Sequence, residues 1–247
     1  MGYTASIMTG LNHANGHAIT FVDADDYIDL HALEMAFNKL IVNNVDIVSF
    51  DYSIVNGDMI TNVNKNIPLL YINTENILGA FSNNLIYAKL FSYMYRKDIL
   101  LKLEKYIINN TIGEDLLLCF QIFDKSKSMI NLPTKLYYYN ARPNSLNNKK
   151  INYIENISLL FNGLKEYVIN NNKEYSVYLT RLFARWAIQN SYYEIYYNSN
   201  SNKDKEKVYI NILRSIFDDL IDKNMVMKYL KDDIRDENII SWYKTNF

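Results

Sequence analysis

The chain of 247 residues is 49% hydrophobic, enough for one large domain or two smaller ones with a substantial core. Its formal net charge of −1 at pH 7 gives no general electrostatic attraction to nucleic acid or to an anionic membrane. The single cysteine, Cys119, excludes an internal disulfide framework and suits a reducing compartment. The sequence contains no run of about 18 apolar residues, so it predicts no transmembrane helix. We therefore expect a cytoplasmic protein.

Helix and strand alternate over the first part of the chain. Residues 3–15 predict a short helix that Gly16 ends in the left-handed conformation. The segment 18–22, "AITFV", predicts a buried strand, because it is too short and too rich in β-forming residues for a helix. A helix over 31–44 precedes the next strand, "VDIVSFDYSI" at 45–54. This order favours an α/β architecture with a parallel sheet.

The helix predicted over 31–44 carries an apolar stripe, which we expect to face the core. The residues at helical spacing on this stripe are Leu33, Phe37, Leu40 and Ile41. Beyond the following strand, "NGDMITN" at 56–62 predicts a turn between paired strands.

A group of carboxylates follows the first strand in "ITFVDADDYI", where Asp23, Asp25 and Asp26 come directly after apolar residues. In α/β sheets, ligands bind beyond the carboxyl ends of the strands. A D-x-D pair there suits Mg²⁺ or Mn²⁺, which take carboxylate and phosphate oxygens and can neutralise a diphosphate. The alternative is that Asp26 caps the next helix while the other two are solvated, and the motif alone does not decide.

A second acidic pair opens the helix predicted by "TIGEDLLLCFQIF", where Glu114 and Asp115 follow Gly113. The helix dipole favours an ionised carboxylate in the first turn, and such a group can act as a general base. Taken alone, the pair is better explained as simple helix capping.

The predicted secondary structure changes at about residue 151 from alternating helices and strands to helices alone. Amphipathic helices separated by polar linkers follow, such as "VYLTRLFARWAIQNSYYEIYY". We therefore predict an α/β part over residues 1–148 and a helical part over residues 149–247.

Taken together and in order, these segments resemble the family 2 glycosyltransferases of the GT-A fold, in particular bacterial enzymes of capsule and surface-polysaccharide assembly. The resemblance covers about residues 2–146. The segments that carry it are "GLNHANGHAITFVDADDYIDLHALE", "VDIVSFDY", "YAKLFSYMYRKDIL", "GEDLLLCFQIF" and "LYYYNARPNSL". It implies a GT-A sheet that is mostly parallel, followed by the helical carboxyl-terminal region.

The resemblance implies a metal and donor site. Asp25 would be the main ligand of Mn²⁺ or Mg²⁺, and Asp23 would lie near the metal and the ribose of a nucleoside-diphosphate sugar. Arg142 and Ser145 would lie near the diphosphate. The location implied is cytoplasmic, free or peripheral at the inner face of the cell membrane.

The resemblance also implies a reaction. Asp115 would deprotonate a hydroxyl of a saccharide or lipid-linked saccharide acceptor, and Glu114 would position that acceptor. A single displacement at the anomeric carbon would transfer the sugar with inversion and release the nucleoside diphosphate.

Several family features have no match in this sequence. The family opens with an apolar strand, a Pro-Val-Tyr-Asn-like turn, a helix and a second strand with a nucleotide-reading aspartate, and none is recognisable here. Ile7 and Met8 stand where an Arg-Asn pair often lies, and Asn140 replaces an arginine. We therefore expect an amino-terminally incomplete sheet that self-associates through an exposed edge. The alternative function is a truncated or degenerate fragment without activity of its own, or half of a split enzyme.

A haloacid-dehalogenase-type phosphatase also places D-x-D after an apolar strand. That class usually has a small serine or threonine shortly after the motif, where this chain has Tyr27 and Ile28. The sequence therefore disfavours this enzyme class.

Overall fold

A computed structural model describes residues 3–63, 69–104, 113–142, 153–198 and 203–247. The chain divides into two compact units. The sheet unit holds the described residues up to 104 together with 114–142, and the helical unit holds residue 113 together with those from 153 to 247. The predicted boundary at residue 148 lies outside the described residues.

The sheet unit combines short helices with one sheet. Its helices are α1 (Tyr3–His13), α2 (Ala32–Val42), α3 (Thr74–Ser82), α4 (Lys97–Leu100) and α5 (Glu114–Asp124). Its strands are β1 (Ala18–Thr20), β2 (Tyr27–Ile28), β3 (Ile47–Asn56), β4 (Met59–Val63), β5 (Leu70–Tyr71), β6 (Tyr93–Arg96) and β7 (Met129–Asn140).

The sheet has the order β1-β6-β3-β7-β2, with β4 paired to β3 and β5 paired to β7. Among the described strands, β3 and β7 form a parallel pair and the other pairs are antiparallel. The predicted mostly parallel sheet is therefore wrong for the described residues, and the sheet is mixed. Strand β6 lies between β1 and β3 and is antiparallel to both, so these two run in the same direction without touching.

Two local predictions at glycines have opposite outcomes. The turn at "NGDMITN" is confirmed, because β3 and β4 form a hairpin closed by the pair Asn56–Met59, with Gly57 at φ 58°. By contrast, α1 already ends at His13, and Gly16 is not among the described glycines with positive φ. Strand β1 is also shorter than predicted, and it is half-buried.

Helix α2 forms where the sequence predicts it but buries a different face. Its buried residues are Ala32, Ala36 and Leu40, which pack on the sheet. Three residues of the predicted core stripe are half-exposed, namely Leu33 at 50%, Phe37 at 38% and Ile41 at 51%. The small alanines let the helix approach the sheet closely, and this leaves the larger side chains on the outer face.

Strand β3 is the centre of the core of the sheet unit. Ile47 and Val48 are fully buried, and each burial contributes roughly 1.5–3 kcal/mol. On β7, the ring of Tyr137 is fully buried and stacks on Phe91, with ring centroids 4.3 Å apart. This packing fixes the position of the Tyr137 hydroxyl, which reaches the loop that follows β1.

The helical unit consists of helices with three π-helical turns among the described residues. Its α-helices are α6 (Tyr153–Asn171), α7 (Ser176–Leu182), α8 (Asn190–Tyr193), α9 (Lys203–Ile216), α10 (Lys223–Tyr229) and α11 (Glu237–Asn246). The π-helical turns are Phe183–Gln189, Glu194–Asn198 and Leu230–Ile234. No helix in the described part of the chain is both long enough and apolar enough to cross a membrane.

Candidate active site

Asp26 anchors the loop between β1 and β2, residues 21–26, which we call the acidic loop, to strand β7. Its carboxylate accepts hydrogen bonds from the Tyr137 hydroxyl at 2.5 Å and from the Asn140 backbone N–H at 2.8 Å. Burial and the bond to Asp26 raise the pKa of the Tyr137 phenol. Helix α2 starts after His31 without a side-chain cap, so the alternative that Asp26 caps this helix is wrong. Asp26 therefore shapes the loop that carries the other two carboxylates.

Asp23 lies in the same loop and is partly buried. Its backbone N–H donates to the Tyr137 hydroxyl at 3.1 Å, so one phenol holds both ends of the D-x-D-D turn. Burial, together with the nearby charge of Asp26, raises the pKa of Asp23, and the ammonium of Lys89 opposes this shift. The rise in the pKa of Asp23 therefore comes mainly from burial.

Asp25 is the exposed carboxylate of the loop. Its Oδ2 lies 3.3 Å from a guanidinium nitrogen of Arg142, and 40% of its side chain is accessible. The Asn140 side-chain amide donates to the Asp25 backbone carbonyl at 3.2 Å. The structure therefore brings together the predicted metal ligand Asp25 and the predicted diphosphate-binding residue Arg142. Ser145 lies outside the described residues.

Asp115 opens helix α5 and accepts a hydrogen bond from the Tyr3 hydroxyl. Burial raises the pKa of Asp115 to about 6, with smaller contributions from the charges of Asp23 and Glu114. The Lys89 ammonium and the Tyr3 hydrogen bond oppose the rise. Burial and the charges of Asp115 and Asp23 raise the pKa of the Tyr3 phenol as well. A carboxylate with a pKa of about 6 can accept a proton near neutral pH.

Glu114 points to the start of helix α1. The buried carboxylate accepts hydrogen bonds from the backbone N–H of Thr4, at 2.9 Å, and from the Thr4 hydroxyl. It thus satisfies an N–H that the first turn of α1 leaves without an intrahelical partner. This contact gives Glu114 a structural role, and the acceptor-positioning role predicted for it stays a prediction.

Sequence reasoning missed two residues of this site, Lys89 and Tyr3. The Lys89 ammonium acts on both Asp23 and Asp115. Its backbone is fixed because its carbonyl accepts from the N–H and the hydroxyl of Ser92. A lysine inside the apolar stretch "IYAKLFSYMY" was a usable signal. Tyr3 gave none, because nothing in a short helix marks which residue meets an acid far along the chain.

A cavity of about 1040 Å³ adjoins these residues. Its walls come from α1, β1, the acidic loop and the outer face of α2, and they include Tyr3, Asp23, Leu33 and Phe37. Most of the lining side chains are apolar. Among the described residues, no group of three His, Cys, Asp or Glu could hold a metal ion. A cation here would need further ligands, and phosphate oxygens commonly supply them for Mg²⁺.

Comparison with known proteins identifies the class. Residues 1–103 match the model of the family Glycosyl transferase family 2. A glycosyltransferase of Streptococcus pneumoniae, GlyA, is 26% identical over 160 residues, covering 59% of this chain and 22% of that protein. A cholesterol galactosyltransferase of Borreliella burgdorferi is 24% identical over 239 residues, covering 89% and 65%. This chain therefore spans less than two thirds of either relative.

The solved structures agree on the fold. S. aureus TarS 1–349 in complex with UDP-GlcNAc matches with a TM-score of 0.66 at 15% identity, over 99% of this chain and 72% of that one. Its complex with UDP matches with a TM-score of 0.61 at 16% identity, over 97% and 70%. The fold is of the GT-A type. The match of residues 1–103 to glycosyltransferase family 2 agrees with the resemblance seen in the sequence.

Proposed function

We propose that this chain transfers a sugar from a nucleoside-diphosphate sugar to a saccharide or lipid-linked saccharide, with inversion and with the help of Mn²⁺ or Mg²⁺. The observation that carries the proposal is the electrostatic coupling of Asp23, of the D-x-D, to Asp115, the predicted base. Tyr3 and Lys89 each interact with both carboxylates. This coupling supports the assignment of the two motifs, distant in sequence, to one site.

The donor would bind at the acidic loop. Asp25 supplies an accessible carboxylate oxygen of the kind that Mn²⁺ and Mg²⁺ prefer, and Asp23 supplies a second one close by. When bound, the metal would neutralise the leaving diphosphate. Arg142, which now pairs with Asp25, offers a guanidinium that suits a phosphate oxygen. UDP sugars are the first donors to test, because TarS was solved with UDP-GlcNAc.

Asp115 would act on the acceptor. Its carboxylate takes the proton of the acceptor hydroxyl while that oxygen attacks the anomeric carbon. The bond from the anomeric carbon to the diphosphate breaks, and its electron pair leaves with the nucleoside diphosphate. The Tyr3 hydroxyl holds the Asp115 side chain in place, and the Lys89 ammonium favours its ionised form.

The decisive experiment measures donor binding and sugar transfer on the same protein. Calorimetry with UDP in Mn²⁺ and in chelator tests the donor site, and a panel of UDP sugars with saccharide and lipid-linked acceptors tests transfer. We expect metal-dependent UDP binding, and transfer that Asp115→Asn abolishes without loss of UDP binding. Absence of both binding and transfer in the folded chain would contradict the proposal.

Two further proposals concern the state of the protein in the cell. We propose a cytoplasmic location, where nucleotide sugars are available, with peripheral contact at the membrane when the acceptor is lipid-linked. We also propose self-association through β1, which has β6 on one side and no strand of the described residues on the other. An unpaired strand edge offers backbone donors and acceptors to another chain.

A further inference from the structure

The helical unit contains a cluster of two arginines and one aspartate, distant in sequence from the acidic loop. The Nε of Arg181 lies 3.3 Å from the Oδ2 of Asp233, and a terminal guanidinium nitrogen of Arg185 lies 4.0 Å from the same oxygen. We call Arg181, Arg185 and Asp233 the arginine cluster. A single carboxylate therefore faces two cations.

The arginine cluster is electrostatically incomplete. The Nε atoms of Arg181 and Arg185 and the Oδ2 of Asp233 are buried without a hydrogen-bond partner among the described residues. Burial lowers the pKa of Arg185, the charge of Asp233 opposes this shift, and the neighbouring charge of Arg181 lowers the pKa further. By contrast, Lys165 and Asp218 in the same unit form a one-to-one pair at 2.7 Å. A buried excess of positive charge and unpaired hydrogen-bond donors destabilise the folded protein unless an anion or an acceptor compensates them.

The backbone around the cluster is specialised. Arg185 lies in the π-helical turn Phe183–Gln189, and Asp233 lies in another, Leu230–Ile234. Such turns occur frequently at functional sites. The Arg181 guanidinium lies 4.3 Å from the centre of the Tyr229 ring, which orients it. The cluster is thus held by fixed elements rather than by chance encounters of long side chains.

Although these Nε atoms and the Asp233 Oδ2 are buried, part of each arginine side chain reaches solvent. About a quarter of each arginine side chain is accessible, 24% for Arg181 and 23% for Arg185. Arg181 and Arg185 are four positions apart on a continuous helical segment, so the two guanidiniums lie on one side of it. We propose that the arginine cluster binds a phosphoryl group, whose oxygens suit bidentate bonding by guanidinium. The group could belong to a soluble phosphate ester or to a lipid headgroup.

The test measures the thermal stabilisation of the whole chain by inorganic phosphate and by methyl phosphate, against chloride at equal ionic strength. Ligand binding to the folded state raises the melting temperature with ligand concentration. Asp233→Asn removes the competing carboxylate and should tighten phosphate binding roughly fivefold or more. Arg185→Gln should weaken it about tenfold or more. Arg235→Gln is the matched control, because Arg235 bonds the backbone carbonyl of Asp232 instead.

A binding site predicts opposite changes in phosphate affinity for Asp233→Asn and Arg185→Gln, whereas a structural ion pair predicts none. If the cluster is only structural, both variants destabilise the protein and neither changes its response to phosphate. That result, or equal responses to phosphate and chloride, would overturn the proposal. If Arg185→Gln does not fold, the response of Asp233→Asn still decides. Co-sedimentation with phosphatidic acid vesicles but not with phosphatidylcholine vesicles would identify a lipid headgroup as the source.

Discussion

The carboxylate of Glu114 accepts a hydrogen bond from the backbone N–H of Thr4 at 2.9 Å, which joins the start of helix α1 to the start of helix α5. The residues next to this pair, Tyr3 and Asp115, are also hydrogen-bonded, because the Tyr3 hydroxyl donates to the Asp115 carboxylate. Adjacent carboxylates thus divide two tasks. Glu114 fixes the helix that carries Tyr3, and Tyr3 fixes the residue that we propose as the base.

The first prediction concerns Glu114. Glu114→Ala removes the buried carboxylate that accepts hydrogen bonds from Thr4 in the first turn of α1. The free energy of unfolding should therefore fall by about 1–3 kcal/mol. Glu114→Gln keeps one acceptor oxygen and should lose less. Urea denaturation measures both, with Glu34→Ala as the control because Glu34 is exposed. A Glu114→Ala protein of normal stability with weakened acceptor binding would instead support the acceptor-positioning role.

The second prediction concerns Asp115. Asp115→Asn keeps the size of the side chain and its ability to accept from Tyr3 but removes its capacity to take a proton. We expect kcat to fall on the order of 10²-fold or more, the usual scale for a lost general base, while UDP binding is retained. Asp98→Asn, at an exposed aspartate, is the control. Near-normal transfer by Asp115→Asn would leave Asp115 as a helix-start residue without a catalytic role.

The third prediction is a pH dependence set by Asp115, Tyr3 and Lys89. With its pKa raised to about 6, Asp115 is protonated below that pH, so kcat/KM should fall as the pH drops through about 6. Tyr3→Phe removes a hydrogen bond that lowers the pKa, and Lys89→Met removes a charge that lowers it. Both variants should move the acid limb to higher pH, whereas Lys102→Met, at an exposed lysine, should not. An unmoved limb in both variants would contradict the assignment of that limb to Asp115.

The same pKa determines the sign of a stability effect. Because the folded-state pKa of Asp115 lies above that of an unfolded aspartate, about 3.9, the folded protein binds this proton more tightly. The stabilisation is fully present below the unfolded pKa and is lost as the pH rises through about 6. Asp115→Asn, which cannot ionise, should therefore be at least as stable as the wild type at neutral pH. This expectation separates it from Glu114→Ala, which should be less stable.

The sequence predicted motifs and strand directions better than it predicted which strands and residues lie next to each other. The alternation of helix and strand predicted that β1 and β3 run the same way, but not that β6, which comes later in the chain, lies between them. Apolar spacing predicted α2 but favoured its large residues over Ala32 and Ala36, because a stripe says nothing about how closely a helix approaches a sheet. A helix cap was one alternative for Asp26, because its contact with Tyr137 spans 111 positions and leaves no local signal.

The fourth prediction concerns the metal. If Asp25 holds Mn²⁺ or Mg²⁺, UDP should bind more tightly with metal than with chelator, and Asp25→Ala should remove that difference. Arg142→Gln should weaken UDP binding in metal while preserving a difference between metal and chelator, because it removes a phosphate partner and not the carboxylate. Isothermal titration calorimetry measures both. Equal wild-type affinities with and without chelator would exclude a metal role for Asp25.

The last prediction concerns the edge of the sheet. Strand β1 has β6 on one side only among the described strands, and the cavity of about 1040 Å³ lies against it, lined by Ile19, Leu33 and Phe37 among others. An unpaired edge beside exposed apolar side chains should recruit a second copy, so the chain should sediment as dimers or larger species at micromolar concentration. Ile19→Lys places a charge at the edge and should shift the population to monomer, because inward-pointing or edge charges oppose strand pairing. Val208→Lys, at an exposed apolar residue of α9, is the matched control and should leave the association unchanged. Sedimentation velocity decides the matter: a monodisperse wild-type monomer, or equal association by Ile19→Lys, would show that β1 is not the contact.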